Sequence, residues 1–331
     1  MNTKSYKKYK KILTVQDISC VGQCSLTVAL PILSACGHET CILPSAVLST
    51  HTCGFEGYTC RDLTDDMPAI AAHWAKEGIQ FEALYTGYLG SRTQIDLVRA
   101  LAADRLTPDG VCIVDPAMAD GGRLYPAFDE AYVEAMKTLA AEADILLPNI
   151  TEACFLTGIP YREETDEAYI NRLLTALHEL GAETVVLTGV SYDPDTTGVM
   201  ISERGVQSYY RHRRLPENCH GTGDVYASAF VGAYMKGLDV YEAAKIAADY
   251  TLICMENTRG DSTHTYGVKF EPMLGSQKRE IRNYCQSVMV SDFLLFSQKI
   301  LFSVICHDSP RFVASCKITT RISFCNRDAK T

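Results

Sequence analysis

Several features are scarce in this chain of 331 residues, and each scarcity closes off a class of protein. It has no uninterrupted run of about 18 apolar residues, the length a helix needs to cross a bilayer, so no membrane span is expected. No Cys-x-x-Cys pair occurs among its 14 cysteines, which are scattered through apolar segments. That pattern reads as reduced, mostly buried thiols of a cytoplasmic protein rather than a disulfide scaffold. Positive charge is in deficit: 31 Lys and Arg stand against 40 Asp and Glu, a net charge of −9, which argues against a nucleic-acid surface. Lys4, Lys7, Lys8, Lys10 and Lys11 crowd the start, but no long apolar stretch follows them. We read residues 1–10 as a solvated basic tail rather than a targeting signal.

The remaining composition, 47% hydrophobic and 21% charged, is that of an ordinary globular protein. The length suits one large α/β domain or two small ones. Short apolar runs alternate with helical periodicity. Strands are predicted at Lys11 to Gln16, Glu39 to Leu43, Ala46 to Leu48, Ala83 to Thr86, Val111 to Val114, Ile145 to Leu147 and Thr184 to Leu187. Helices are predicted at Cys24 to Cys36, Met67 to Glu77, Arg92 to Asp104, Tyr125 to Glu142, Glu167 to Leu180 and Tyr241 to Asn257. Gly198 to Ser202 and Val206 to Tyr210 read as a hairpin turning at Arg204-Gly205. Near-continuous apolar strands separated by helices imply a mostly parallel sheet covered on both faces. Residues 11–272 complete such a domain. Residues 273–331 differ, with 9 Lys/Arg and 4 Asp/Glu, net +5 against −14 before them. They lack clear capping and turn signals, and weak order is expected there.

The chemistry gathers around His220-Gly221-Thr222-Gly223-Asp224, which runs directly into a small-residue helix. A glycine turn opening a helix aims unpaired N–H groups at one point, with the positive end of the dipole behind them. Asp224 places a carboxylate where an anion is expected, a costly choice unless it accepts a proton beside a transferring phosphoryl group. A capped helix is the structural alternative for the same residues. Polar residues also close the predicted strands: Asp17, Tyr88, Asp115, Asn149, Glu152 and Thr188. Ligands of parallel sheets bind beyond these carboxyl ends. Each has a structural alternative. Asp17 could cap the helix after it, Tyr88 could be core, Asp115-Pro116 a strand-ending turn, and Asn149 with Glu152 a helix cap. Arg211 to Arg214, just before the glycine turn, could reach phosphates or could be a solvated hairpin end.

Together, Val15-Gln16, Ser49-Thr50-His51-Thr52, Thr86-Gly87-Tyr88, Val114-Asp115-Pro116, Pro148-Asn149-Ile150-Thr151-Glu152 and Gly221-Thr222-Gly223-Asp224 resemble the pyridoxal kinase family of the ribokinase-like superfamily. The match covers roughly residues 11 to 270. The resemblance implies a three-layer sandwich, with helices on both faces of the sheet. It implies ATP- and Mg²⁺-dependent phosphorylation of the 5′-hydroxymethyl group of a vitamin B6 vitamer by a homodimer. Asp224 would be the base, and the Gly221, Thr222 and Gly223 amides an anion hole. Asp115, Asn149 and Glu152 would manage phosphates and metal, with Asp115 and Glu152 at the metal. Thr188 and Gly189 would touch nucleotide. Asp17, Ser49, His51 and Tyr88 would wall the vitamin. Where many members of the family have Ser after the Gln, this chain has Asp17, which implies a preference for the ammonium of pyridoxamine. Two rival functions share these residues: a hydroxymethylpyrimidine kinase of the same fold, and a non-catalytic binder of nucleotide or vitamer.

Overall fold

The alternation of apolar runs and amphipathic stretches becomes strands and helices in chain order. A computed structural model describes residues 9–52, 54–216 and 219–283. It places β1 at Lys11–Ser19, α1 at Leu26–Ala35, β2 at Glu39–Leu48, β3 at Cys60–Asp62, α2 at Met67–Lys76 and β4 at Phe81–Thr86. Then come α3 at Arg92–Arg105, β5 at Leu106–Val114, a small pair of β6 at Ala119–Asp120 and β7 at Arg123–Leu124, α4 at Glu130–Ala140 and β8 at Ile145–Leu146. The second half holds α5 at Ile150–Thr157, α6 at Glu167–Leu180, β9 at Thr184–Val190, β10 at Thr196–Glu203, β11 at Val206–Arg213, α7 at Thr222–Tyr234 and α8 at Val240–Thr258.

Local chemistry explains where the helices start. Ser91, Asp129, Asp166 and Asp239 each accept a hydrogen bond from an amide three residues on, opening α3, α4, α6 and α8. The spacing of three and four is clearest in α6, which buries Tyr169, Ile170, Leu173, Leu174 and Leu177. Each buried aliphatic side chain of this kind contributes about 1.5–3 kcal/mol. The single tryptophan, Trp74 on α2, meets Phe81 edge to face with centroids 5.5 Å apart.

Nine strands form one sheet in the order β11-β10-β9-β8-β5-β4-β1-β2-β3. The six central strands run parallel, β3 at one edge and β10 near the other run against them, and β11 pairs antiparallel with β10. Helices α1, α7 and α8 pack together on one face, and α2 to α6 follow one another across the other. The expected three-layer α/β sandwich is therefore present. The chain leaves β1 for β2 on one side and returns to β4 on the other, so the strand order reverses at β1. The carboxyl ends of β1 and β4 flank the crevice that such a reversal creates.

Several boundaries differ from expectation. Asp17 lies within β1, and it does not cap α1, whose N-cap position is taken by Ser25 without a side-chain cap hydrogen bond. β2 runs unbroken through Pro44, because β3 pairs only with Ala46 to Leu48 and leaves the side of Pro44 that lacks an N–H without a partner strand. α4 begins at Glu130 instead of Tyr125, since Tyr125 to Phe128 forms a turn and Asp129 supplies the cap. The brief β3, β6 and β7 carry too few residues to show a period. Packed structure also continues past residue 272. Residues 274–283 are helical, with Gln277 and Ile281 buried, and the Gln277 side-chain amide donates to the Ala229 carbonyl of α7 at 3.2 Å. The compact unit reaches Arg282. Residues 1–8, 53, 217–218 and 284–331, including the apolar stretch Phe293 to Ile305, lie outside the described residues.

The β10–β11 turn has φ 49° at Arg204 and 81° at Gly205, the geometry that favours Asn-Gly. Arg204→Asn is therefore expected to stabilise the protein by up to about 1 kcal/mol, and Gly205→Ala to cost about as much. Urea unfolding followed by Trp74 fluorescence checks both, and equal midpoints for all three proteins would contradict the turn assignment.

Candidate active site

The mouth of α7 is shaped by Gly221. It sits in the left-handed region at φ 77°, and a Cβ there would lie 2.0 Å from the backbone carbonyl oxygen of Gln23. Only glycine satisfies both constraints. Gly223 is different: its φ is ordinary, it is exposed, and a Cβ would meet nothing within 4 Å. Nothing in the protein itself requires glycine there, whereas a ligand approaching the backbone would. The first helical bond of α7 runs from the Val225 amide to the Gly221 carbonyl, leaving the Thr222, Gly223 and Asp224 amides without an acceptor among the described residues.

Four carboxyl groups converge on this mouth. Asp17 and Glu152 are 5% and 3% exposed, Asp115 is buried at the end of β5, and Asp224 is half-buried on the first turn of α7. Burial pushes the Asp224 carboxyl up to about 7; the nearby Ser25 amide opposes the shift, and the charge of Asp17 adds to it. Asp115 is raised well above the carboxylate range by burial first, then by the charges of Glu152 and Asp224. Burial also raises Glu152, against amides donating from Asn149 and Met118 at 2.9 and 3.2 Å. Asp17 is raised by burial, against the nearby Ser25 hydroxyl and the Ser19 hydroxyl, which donates to Asp17 Oδ2 at 3.0 Å. Among the described residues no three His, Cys, Asp or Glu side chains meet as a ready-made metal site.

The other expected residues divide into two groups. Asn149 and Glu152 form a reciprocal capping box on α5, so the structural alternative for that pair holds, whatever else they do. Thr188 packs beside them, its amide donating to the Pro148 carbonyl at 2.9 Å, and Gly189 follows at φ 75°. Tyr88 lies beside Phe128 with centroids 5.2 Å apart, close enough to Asp17 that burial and that charge raise its phenol to about 12. Ser49 does not face the crevice freely: its hydroxyl accepts the Thr59 amide at 2.9 Å. His51 is buried, and its Nε2 donates to the Tyr266 carbonyl at 2.8 Å, tethering two loops. Arg211, His212 and Arg213 finish β11, and Arg213 pairs with Glu256 of α8. Sequence reasoning missed Ser25, which is buried with a φ of 55° and lies near enough to Asp17 and Asp224 to lower the pKa of each. A serine in a β–α connection carries no distinguishing signal, because its importance comes from a backbone angle.

The raised Asp224 carboxyl has a consequence for stability. Its folded value of about 7 exceeds the unfolded value of about 4, so the native state loses stability as pH rises from about 4 to about 7, and the penalty is complete above that. Asp224→Asn removes that penalty. Its Tm should exceed that of the wild type by a few degrees at pH 8 and by progressively less toward pH 4, as differential scanning calorimetry would show. A Tm that falls equally at both values would mean the carboxylate is a structural anchor.

The chain was compared with known families and structures. Residues 33–268 match the family model described as phosphomethylpyrimidine kinase. A pyridoxine/pyridoxal/pyridoxamine kinase of Bordetella pertussis is 28% identical over 269 residues, spanning 75% of this chain and 89% of its own. Among solved structures, a protein of Bacteroides thetaiotaomicron provisionally named a phosphomethylpyrimidine kinase, crystallised with pyridoxal, is 37% identical with a TM-score of 0.77, covering 82% of this chain and 96% of its own. The pyridoxal kinase of Lactobacillus plantarum is 32% identical with a TM-score of 0.75, covering 82% and 97%. The crevice at the strand reversal, with its glycine turn and four acids, thus sits in a phosphotransferase fold, and the chain belongs to the phosphomethylpyrimidine kinase family, which it shares with pyridoxal kinases in the ribokinase-like superfamily.

Proposed function

We propose that this kinase transfers the γ-phosphoryl group of ATP to the 5′-hydroxymethyl group of a vitamin B6 vitamer. The observation that carries the reading is Asp224: a carboxyl raised to about 7, one residue from an exposed glycine and on the same helical turn as amides without acceptors. A base needs a pKa near the working pH, and a negatively charged phosphoryl group needs donors held in place beforehand. Asp224 accepts the hydroxyl proton. The amides at Gly221, Thr222 and Gly223 face the developing negative charge, where each such donor is worth about 10²–10³ in rate. The open space over Gly223 admits a phosphate close to the backbone.

Asp115 and Glu152 suit Mg²⁺. They are buried, raised by their surroundings, and Asp115 feels the charge of Glu152 without a Lys or Arg partner in an ion pair among the described residues. Both Glu152 oxygens already accept amides, so Glu152 would hold the ion less directly than Asp115, whose carboxyl accepts no hydrogen bond among the described residues. Bound Mg²⁺ supplies neutralisation of the phosphate charges. Asn149, Thr188 and Gly189 face the nucleotide, with Asn149 and Thr188 linked by an isolated bridge across the sheet edge. Asp17 and Tyr88 wall the vitamin ring. Ser49 and His51 act from behind, shaping the loop that covers it.

One runner-up has a specific observation behind it. The family model carries the phosphomethylpyrimidine name, and hydroxymethylpyrimidine is a similar flat heteroaromatic alcohol. An ATP-dependent assay on pyridoxal, pyridoxine, pyridoxamine and hydroxymethylpyrimidine decides between them, with a vitamer expected to give the highest kcat/KM. In the same assay kcat/KM should rise with pH through about 7 as Asp224 ionises. Asp224→Asn should cost about 10²–10⁴ in kcat while vitamer binding persists. Turnover surviving in that variant would remove Asp224 from its role.

Asp17 makes a second prediction. It is buried at the crevice, and His51 is the one basic side chain that acts on it among the described residues, so a ligand ammonium would find an unmatched carboxylate. Asp17→Ser should lower kcat/KM for pyridoxamine more than for pyridoxal. An unchanged ranking of the vitamers would end the idea.

A further inference from the structure

The segment that carries Tyr88 has no regular structure of its own. β4 ends at Thr86 and α3 starts at Arg92, and Gly87 to Gly90 between them are held one by one from elsewhere. The Gly87 amide donates to the Val15 carbonyl at 3.3 Å, and the Tyr88 carbonyl accepts the Ser45 hydroxyl at 3.4 Å. The Leu89 carbonyl accepts the Tyr132 hydroxyl at 2.7 Å, and the Gly90 amide donates to Gln94 Oε1 at 2.7 Å. These bonds fix the backbone. They do not set the angle of the half-buried Tyr88 ring, which turns about its own side-chain bonds unless something packs on it.

Phe128 packs on it. The centroids of Tyr88 and Phe128 are 5.2 Å apart with planes inclined at 34°, and Phe128 in turn stacks on Tyr132 at 3.8 Å and 14°. Tyr132 is 3% exposed, and its hydroxyl is the one that holds Leu89, so the last ring of the stack is fixed at both ends. The backbone of Phe128 is hung from α5 by three hydrogen bonds. Its amide donates to the Tyr125 carbonyl at 3.0 Å, the Tyr125 amide to the Met118 carbonyl at 2.9 Å, and the Met118 amide to Glu152 at 3.2 Å. A residue just before an N-cap, as Phe128 is before Asp129, often packs back only to staple its helix. Here the same ring also meets Tyr88, in the offset geometry that aromatic pairs prefer. We infer that Phe128 is a positioning residue which, backed by Tyr132, sets the angle of the Tyr88 ring against the vitamer. This inference rests on the reading of Tyr88 as a wall of the vitamer site.

Substitutions separate the ring from its bulk. Phe128→Leu keeps a large apolar side chain but loses the flat surface. It should raise KM for pyridoxal about three- to tenfold, leave kcat within about twofold and leave KM for ATP unchanged. Phe128→Tyr keeps the ring and should bring KM back to within about twofold of the wild type. Tyr132→Phe keeps the stack and removes only the donor to Leu89, so it should give a smaller rise in KM, about twofold. Because Phe128 acts through Tyr88, Phe128→Leu should raise KM no further in a Tyr88→Ala background. Thermal melts of all variants accompany the kinetics. If Tyr88→Ala raises vitamer KM while Phe128→Leu does not, or if the two effects simply add, the inference on Phe128 is overturned and the role of Tyr88 stands. If Phe128→Leu raises KM for ATP as much as for vitamer, in step with a lowered Tm, Phe128 only staples α4 and the inference is again overturned. If neither Tyr88→Ala nor Phe128→Leu moves vitamer KM, the reading of Tyr88 fails and takes this inference with it.

Discussion

The contact on which the site depends is the one between the Gly221 turn and the carbonyl of Gln23. It leaves no room for a side chain at Gly221, so the start of α7 and the β1–α1 connection behave as a single piece of backbone. A third segment joins them, because the Tyr266 carbonyl accepts from the Gln23 amide at 3.4 Å and from His51 at 2.8 Å. Loops distant in sequence are thereby stacked at one end of the sheet. The sheet fixes where Asp17 and Asp115 can be, and this stack fixes where Asp224 can be relative to them. Precision at the crevice comes from backbone meeting backbone, which is harder to perturb than a side-chain contact.

The same place is electrostatically expensive. Asp17, Asp115, Glu152 and Asp224 are all raised, and burial is the leading cause for each. A protein shaped only for stability would not put four acids there. The cost is offset elsewhere, by a continuous core of aliphatic residues between the sheet and α2 to α6 that includes Leu13, Val15, Leu84, Val114, Leu173 and Leu187.

Much of this was legible in the sequence, for identifiable reasons. The parallel strands are nearly pure apolar runs, and α6 repeats its period over four turns, so tertiary context had nothing to override. The glycine turn at the start of α7 was readable because glycine punctuates a chain strongly, although the turn alone also fits a plain capped helix. Boundaries failed where the signal was local and weak. Pro44 looked like a strand break because the edge pairing that tolerates it is not visible along the chain. Asp17 looked like a loop residue because β1 continues past its apolar stretch to Ser19. Asn149 and Glu152 had been given two readings, a cap or a site, and the structure shows that the first holds without excluding the second. Ser25 was invisible, since a strained φ leaves no mark on residue type.

The lone indole of Trp74 has a bearing on how the molecule can be studied. It touches Phe81 at the amino end of β4, while the crevice opens beyond Thr86 at the other end. Five residues of extended chain separate the two by about 17 Å. A nucleotide in the crevice is too far away to quench that fluorophore by contact. Any change in its emission on adding nucleotide therefore reports a shift transmitted along the sheet or through α2, which makes the protein's only tryptophan a built-in monitor of its scaffold.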